Sequence, residues 1–204
     1  IDLADVIGRA IHVNESGWTI VRNAPVEFRR HQHQRPLPVP APGGDVELLL
    51  DTLHLPGGDE WLLVLAWALW AMVEGVPHPV LLFVGGTDSG KTTTARLLRS
   101  AIDPSAMATV IAPKGLIEIA LALDAHAVPV FDNVTRLNQS DTDLMCQVVS
   151  GAGFQKRKLK TDTGSITLDI QRAPMMTSIP RIPSGASDFL NRCVRVEVQK
   201  LTDE

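Results

Sequence analysis

The sequence predicts an α/β protein with a mostly parallel central sheet flanked by helices, preceded by a small β-rich segment. Three observations carry the prediction. Residues 79–84 (PVLLFV) are continuously apolar, the pattern of a strand covered on both faces. Glycines end that run, and GKTTTARLL then opens a helix. Further apolar runs at 127–131 and 173–178 alternate with helix-like stretches, the rhythm of strand and crossover.

In chain order, residues 1–35 hold three short β-like runs, 10–13, 18–21 and 26–29, separated by the turn sequences NESG and RNAP. The stretch PLPVPAPGG at 36–44 holds four prolines, which sustain neither a helix nor a central strand. It reads as a stiff extended linker, and the domain boundary is placed there, with a core over 45–204. Within the core a helix is expected at 59–74, a strand at 79–84 and a helix at 90–102. A short strand at 108–111, a helix at 114–123 and a second central strand at 127–131 follow. A helix at 140–150, a hairpin within 151–170, a strand at 173–178 and an alternating strand at 193–198 complete the reading.

With 204 residues, 45% of them hydrophobic and 21% charged, the chain can bury a sizeable core as one domain, or one domain plus an appendage. A net charge of −4 excludes a polycation that coats nucleic acid, so contact with nucleic acid requires a local basic patch. Cys146 and Cys193 are far apart and form no CxxC pair, which favours a reduced, cytoplasmic setting. No leader follows Ile1, and the chain reads as part of something longer. The apolar stretch 61–73 rises about 20 Å as a helix, short of the roughly 30 Å of a bilayer core, so no membrane partner is expected.

The string GGTDSGKT matches G-x-x-x-x-G-K-[ST] at Gly85, Gly90, Lys91 and Thr92. Its place between a buried strand and a helix is what phosphate binding requires. Backbone N–H groups of Gly85, Gly86, Thr87, Asp88, Ser89 and Gly90 can surround phosphate oxygens, with Thr93 in the first helical turn. Lys91 neutralises β/γ-phosphate charge, and Thr92 offers a hydroxyl to Mg²⁺. Asp132, about 40 residues on at the end of AVPVFD, is the expected second Mg²⁺ ligand, at the carboxyl end of a parallel strand. ATP and Mg²⁺ are the implied ligands. Asn133 stands next, and an amide orients water by hydrogen bonds without acting as a base, so slow hydrolysis or another base is expected.

Five segments together, GGTDSGKTTTARLLRSAIDP, VPVFDNV, GAGFQKRKLKTD, APMMTSI and DFLNRCVRVEV, resemble the ATPase core of AAA+ proteins. The likeness is to superfamily 3 helicases and to phage and plasmid primase-helicases, over roughly 59–198, with the FRR…PLP segment similar to actinobacterial prophage-type ATP-binding proteins. The resemblance implies a sensor strand ending at Thr177 and Ser178, where family members usually carry Asn. It implies an arginine finger at Arg192, with Arg181 a lesser candidate, and hence a homo-oligomeric, hexameric ring. It also implies that the basic cluster Lys156, Arg157, Lys158 and Lys160 holds single-stranded or duplex DNA in the ring channel. Without the resemblance, Arg192 reads equally as a surface partner of Asp188 at i, i+4, and the cluster as a solvated turn.

Two functions follow: an ATPase coupled to nucleic-acid translocation or unwinding during replication of a mobile element, or an ATP-dependent assembly switch that hydrolyses slowly. A small-molecule kinase is disfavoured, because no lid with paired arginines is evident. His31 and His33 lack further ligands at zinc spacing, and Trp61, Trp67 and Trp70 read as packing on an apolar helix. Cys146 reads as a core thiol, and Asp141 and Asp143 as first-turn helix acids.

Overall fold

The computed structural model describes residues 1–53, 55, 58–111, 115–151, 154–157, 165–168, 171–179 and 187–200. At the N-terminus, β1 (Ala10–Asn14) and β2 (Gly17–Val21) form the expected antiparallel hairpin, with Ala10 opposite Val21. The third run does not become a strand: residues 26–29 follow an irregular path. The adjoining arginines account for this. Arg29 makes two bonds to Asp124, at 2.8 and 2.9 Å, and Arg30 forks onto Asp2 at 2.7 and 2.8 Å. These long-range pairs fix the segment against other parts of the chain, and β-propensity does not compete with them.

The expected linker begins where the chain touches the core. Gln34 bridges Ser105, the Arg35 N–H donates to Pro104 O at 2.8 Å, and the Leu37 N–H donates to Leu3 O at 2.9 Å. Beyond the prolines lies a helix that the sequence reading omitted, α1 (Val46–Leu53). Asp45 starts it by accepting from the Glu47 N–H at 2.9 Å, and Thr94 donates to Leu53 O at 3.0 Å to hold its end.

The core follows the expected alternation: α2 (Glu60–Trp70), β3 (Val80–Val84), α3 (Lys91–Ile102), β4 (Val110–Ile111), α4 (Leu116–Ala125), β5 (Val130–Asp132) and α5 (Gln139–Ser150). Then come β6 (Phe154–Arg157), β7 (Ser165–Leu168), β8 (Met175–Ser178), the single turn α6 (Ser187–Leu190) and β9 (Cys193–Glu197). Five strands pair in the order β4-β5-β8-β3-β9, all parallel. The other two form a separate antiparallel hairpin, with Phe154 opposite Leu168, inside the expected range.

Strand β3 sits inside the sheet and is buried throughout. Val80, Leu82 and Val84 pack with Ile119, Leu123, Leu144 and Met145 on one face. Leu81 and Phe83 pack with Val64, Trp67, Ala95 and Leu98 on the other. Covering both faces explains the unbroken apolar run. The tryptophans of α2 act as packing clamps: Trp67 and Trp70 donate their indole N–H to Pro79 O and Pro77 O at 2.7 and 2.8 Å. Helix α5 begins with a capping box, the Asp141 N–H donating to Asn138 Oδ1 at 2.9 Å and the Asn138 N–H to Asp141 Oδ2 at 3.4 Å. Both cysteines are half-buried against the core, and burial pushes the Cys193 thiol up to about 12 and raises Cys146 as well. Among the described residues no helix is long and apolar enough to cross a membrane, and no His, Cys, Asp or Glu cluster could hold a metal.

Candidate nucleotide site

Three strands deliver the site. β3 runs into the loop of residues 85–90, which returns as α3. β8 lies beside β3, and β5 lies beyond β8, so Asp132 reaches the loop across the end of an intervening strand. Parallel strands end on the same side, which gathers these three ends at one edge.

Gly85 is required by space. A Cβ there would stand 2.3 Å from Val198 O and 2.7 Å from Ser89 Oγ, distances that real side chains do not reach. Val198 is held close because its N–H donates to Val84 O at 2.7 Å. Asp88 and Gly90 take left-handed backbone, φ 61° and 86°, which turns the loop into the helix. Gly86, by contrast, has open space around it. Inside the loop Ser89 is buried and donates to Gly86 O at 3.0 Å, while the Lys91 ammonium bonds Gly86 O and the Ser89 hydroxyl. The ammonium therefore rests folded over the loop.

Asp132 is the hub. Its Oδ1 accepts from the Thr92 hydroxyl at 2.7 Å and from the Thr177 hydroxyl at 2.6 Å. Thr177 in turn accepts from the Asn133 N–H at 2.8 Å. Thr177 is only 1% exposed, its single proton is committed to Asp132 and one of its two lone pairs to the Asn133 N–H, and it acts as a brace for Asp132. Ser178 turns its hydroxyl to Val134 O at 2.7 Å. Asn133 is exposed and adopts left-handed backbone at φ 55°, a conformation its short amide tolerates. The oxygens of Thr92 and Asp132, a hydroxyl and a carboxylate, are the hard donors Mg²⁺ prefers, so the residues present fit that ion.

The remaining candidates lie elsewhere. Arg192 stands at the start of β9, where its carbonyl accepts from the Val80 N–H at 3.0 Å. That is the opposite end of β3 from the loop, about 16 Å away along a five-residue strand. Its side chain bonds Ser150 Oγ at 2.8 Å and faces Asp188 at 3.5 Å, the i, i+4 pairing already considered. Lys156 and Arg157 lie on β6, while Lys158, Lys160 and Arg181 fall outside the described residues.

Sequence reasoning overlooked the support behind the loop helix. Arg99, 2% exposed at the far end of α3, donates to Met107 O at 2.6 Å and meets Asp103 Oδ2 at 3.4 Å and His126 Nδ1 at 2.9 Å. Asp103 Oδ2 also accepts from the Val128 N–H at 3.0 Å, which ties α3 to the strand leading to Asp132. Burial, and then the charge of Arg99, lowers the His126 pKa to about 4. The one signal was an i, i+4 Arg–Asp pair in RSAID, which reads as an ordinary surface pair.

Solved structures share this fold. The chain superposes on JCV helicase with a TM-score of 0.50 at 15% identity, covering 78% of this chain and 47% of that one. It superposes on the C-terminal region of NrS-1 with a TM-score of 0.52 at 12% identity, covering 95% of this chain and 45% of that one. The chain thus spans about half the length of either structure, and at these identities the likeness is one of fold. No curated protein matches the sequence. A family model described as "Actinomycete integrative conjugative element replication protein" matches residues 46–199, most of the chain, and so the chain belongs to that replication protein family.

Proposed function

We propose that this replication protein binds MgATP at the loop of residues 85–92 and hydrolyses it as the AAA+-type ATPase of a helicase. The observation that carries the reading is the 2.7 Å contact between Thr92 Oγ1 and Asp132 Oδ1, residues 40 apart in sequence. A phosphate-loop hydroxyl and a strand-end carboxylate brought together in this way are the two protein ligands that a nucleotide-bound Mg²⁺ needs.

In this reading the loop amides of Gly86 to Gly90 hold the β-phosphate, and Lys91 leaves its resting contacts with Gly86 and Ser89 to meet the γ-phosphate. Thr92 and Asp132 hold Mg²⁺, which when bound neutralises charge on the phosphate oxygens. Thr177 keeps Asp132 aimed, and Asn133 orients water by hydrogen bonding. Arg192 lies remote from its own loop, so it can serve as a finger only on a neighbouring subunit, in a homo-oligomer read as a hexameric ring. The hairpin bearing Lys156, Arg157, Lys158 and Lys160 would grip the DNA backbone, and the proposed setting is the cytoplasm. The division at 36–44 remains our proposal for the domain boundary.

The decisive experiment measures ATPase rate with and without single-stranded DNA, for the parent and for Lys156→Ala/Arg157→Ala/Lys158→Ala. The helicase reading expects stimulation that the triple change abolishes. An assembled parent that DNA does not stimulate would favour the second reading, an oligomeric ATP switch with slow hydrolysis. The exposed amide of Asn133, where a carboxylate would act as base, favours that alternative. In either reading Arg192→Ala should retain ATP binding and lose turnover, and unchanged turnover would remove the finger assignment.

A further inference from the structure

At the sheet end opposite the loop lies a cavity of about 720 Å³, the size of a small-ligand site. Its walls come from the N-terminal segment (Arg29, His31, His33, Arg35), from the turn after α2 (His78 among them) and from the chain entering β8 (Gln171, Arg172). It shares no residue with the nucleotide site.

Arg172 is the organised element. It is half-buried, and two backbone carbonyls fix its guanidinium: Nε donates to Leu123 O at 3.0 Å and Nη1 to Gln171 O at 2.8 Å. Among the described residues neither its Nη2 nor any nitrogen of the Arg35 side chain has a hydrogen-bond partner, and neither arginine pairs with a carboxylate. The acids nearby are already engaged. Asp124 is bound to Arg29, Asp103 to Arg99 and Asp2 to Arg30, while Glu27 and Glu74 stand exposed at the rim.

Four imidazoles, His31, His33, His78 and His126, line the cavity. Burial lowers the pKa of His31, and Arg29, His33 and Arg172 lower it further against a weaker opposing pull from Asp124. His78 is lowered by burial and then by Arg172, and its Nδ1 is buried without a partner. His33 lies against His126 with ring centres 4.2 Å apart, and against His31 at 5.4 Å. An unpaired guanidinium and flat imidazole faces thus stand on the same cavity.

We propose that this cavity binds a phosphate-bearing anion of nucleotide size, with the fixed guanidinium of Arg172 as its anchor and Arg35 as a second contact. The open edge of Arg172 presents N–H groups in the fork geometry that phosphate oxygens accept. The stacked His31 and His33 rings offer a surface on which a base can lie. The ligand would join the N-terminal segment to the core, since its contacts come from both.

The test uses the full chain carrying Lys91→Ala, so that the loop site does not take up the probe, and AMP as that probe. Calorimetry should show one AMP bound per chain, competition by inorganic phosphate and no binding of adenosine. NMR should show the His31 and His78 imidazoles shifting, with the His31 pKa rising as the anion arrives. Arg172→Gln should weaken binding about tenfold or more, the expected loss for a charge-assisted hydrogen bond. Arg35→Gln, whose side chain bonds nothing among the described residues, should weaken binding with an unchanged melting temperature and so separate recognition from folding. Repeating the titration with an oligonucleotide, with and without a 5′-phosphate, distinguishes a free nucleotide from a nucleic-acid end as the source of the phosphate. Equal AMP affinity in parent and both arginine variants, or imidazoles that do not move, would overturn the assignment.

Discussion

Replacing Gly85 by Ala tests whether the first glycine of the loop is there for packing or for phosphate. The added methyl would lie 2.3 Å from Val198 O and 2.7 Å from Ser89 Oγ. The Ser89 side chain can rotate away, at the loss of its bond to Gly86 O. Val198 O cannot yield as easily, because the Val198 N–H is tied to Val84 O at 2.7 Å and β9 pairs with β3 along its length. Overpacking against fixed backbone costs about 1–3 kcal/mol, and the lost serine bond adds about 1. For a chain of this size each kcal/mol lowers the melting temperature by about 2–4 °C, so a fall of about 4–16 °C is expected. Gly86→Ala is the control, since nothing lies within 4 Å of its added methyl, and its melting temperature should stay within about 2 °C of the parent. Scanning calorimetry without nucleotide reads both. Equal melting temperatures for the two variants would refute the argument that the close approach of β9 imposes the first glycine.

Further expectations follow from the same contacts. Thr177→Val should leave the melting temperature within a few degrees and lower ATP turnover about tenfold, because Asp132 loses its brace; turnover equal to the parent would show that the brace is dispensable. Arg99→Met strands Asp103 and His126 beneath α3 and should cost about 3–5 kcal/mol in urea unfolding, and a loss under 1 would show that the network contributes little. His126 has its folded pKa lowered from 6.5 to about 4, so the unfolded chain binds the proton more readily. Stability from this group is therefore complete above about pH 6.5 and is lost as the pH falls toward 4, on the order of 3 kcal/mol in all, and His126→Gln should flatten that dependence.

What the residues alone determined is what nearby residues determine. Turn chemistry placed the β1–β2 hairpin, continuous apolarity placed β3, and the glycines with Lys91 and Thr92 placed the loop, because each rests on preferences spanning fewer than ten residues. The reading failed where distant partners override local preference. Residues 26–29 look like a strand, yet Arg29 and Arg30 answer to Asp124 and Asp2. The short α1 was hidden behind prolines and is held at its end by Thr94, 41 residues later.

The tertiary structure alone decided which strand ends meet. Asp132 could be nominated from its place after an apolar run, but its bonds to Thr92 and Thr177 exist because β5, β8 and β3 are neighbours in that order. Likewise no local pattern marks Arg172 or the histidines as sharing one cavity, since they come from separate segments scattered along the chain between His31 and Arg172. Periodicity encodes which face of an element is apolar; which elements then become neighbours is set by burying those faces together, and the chemistry of the site follows from that choice.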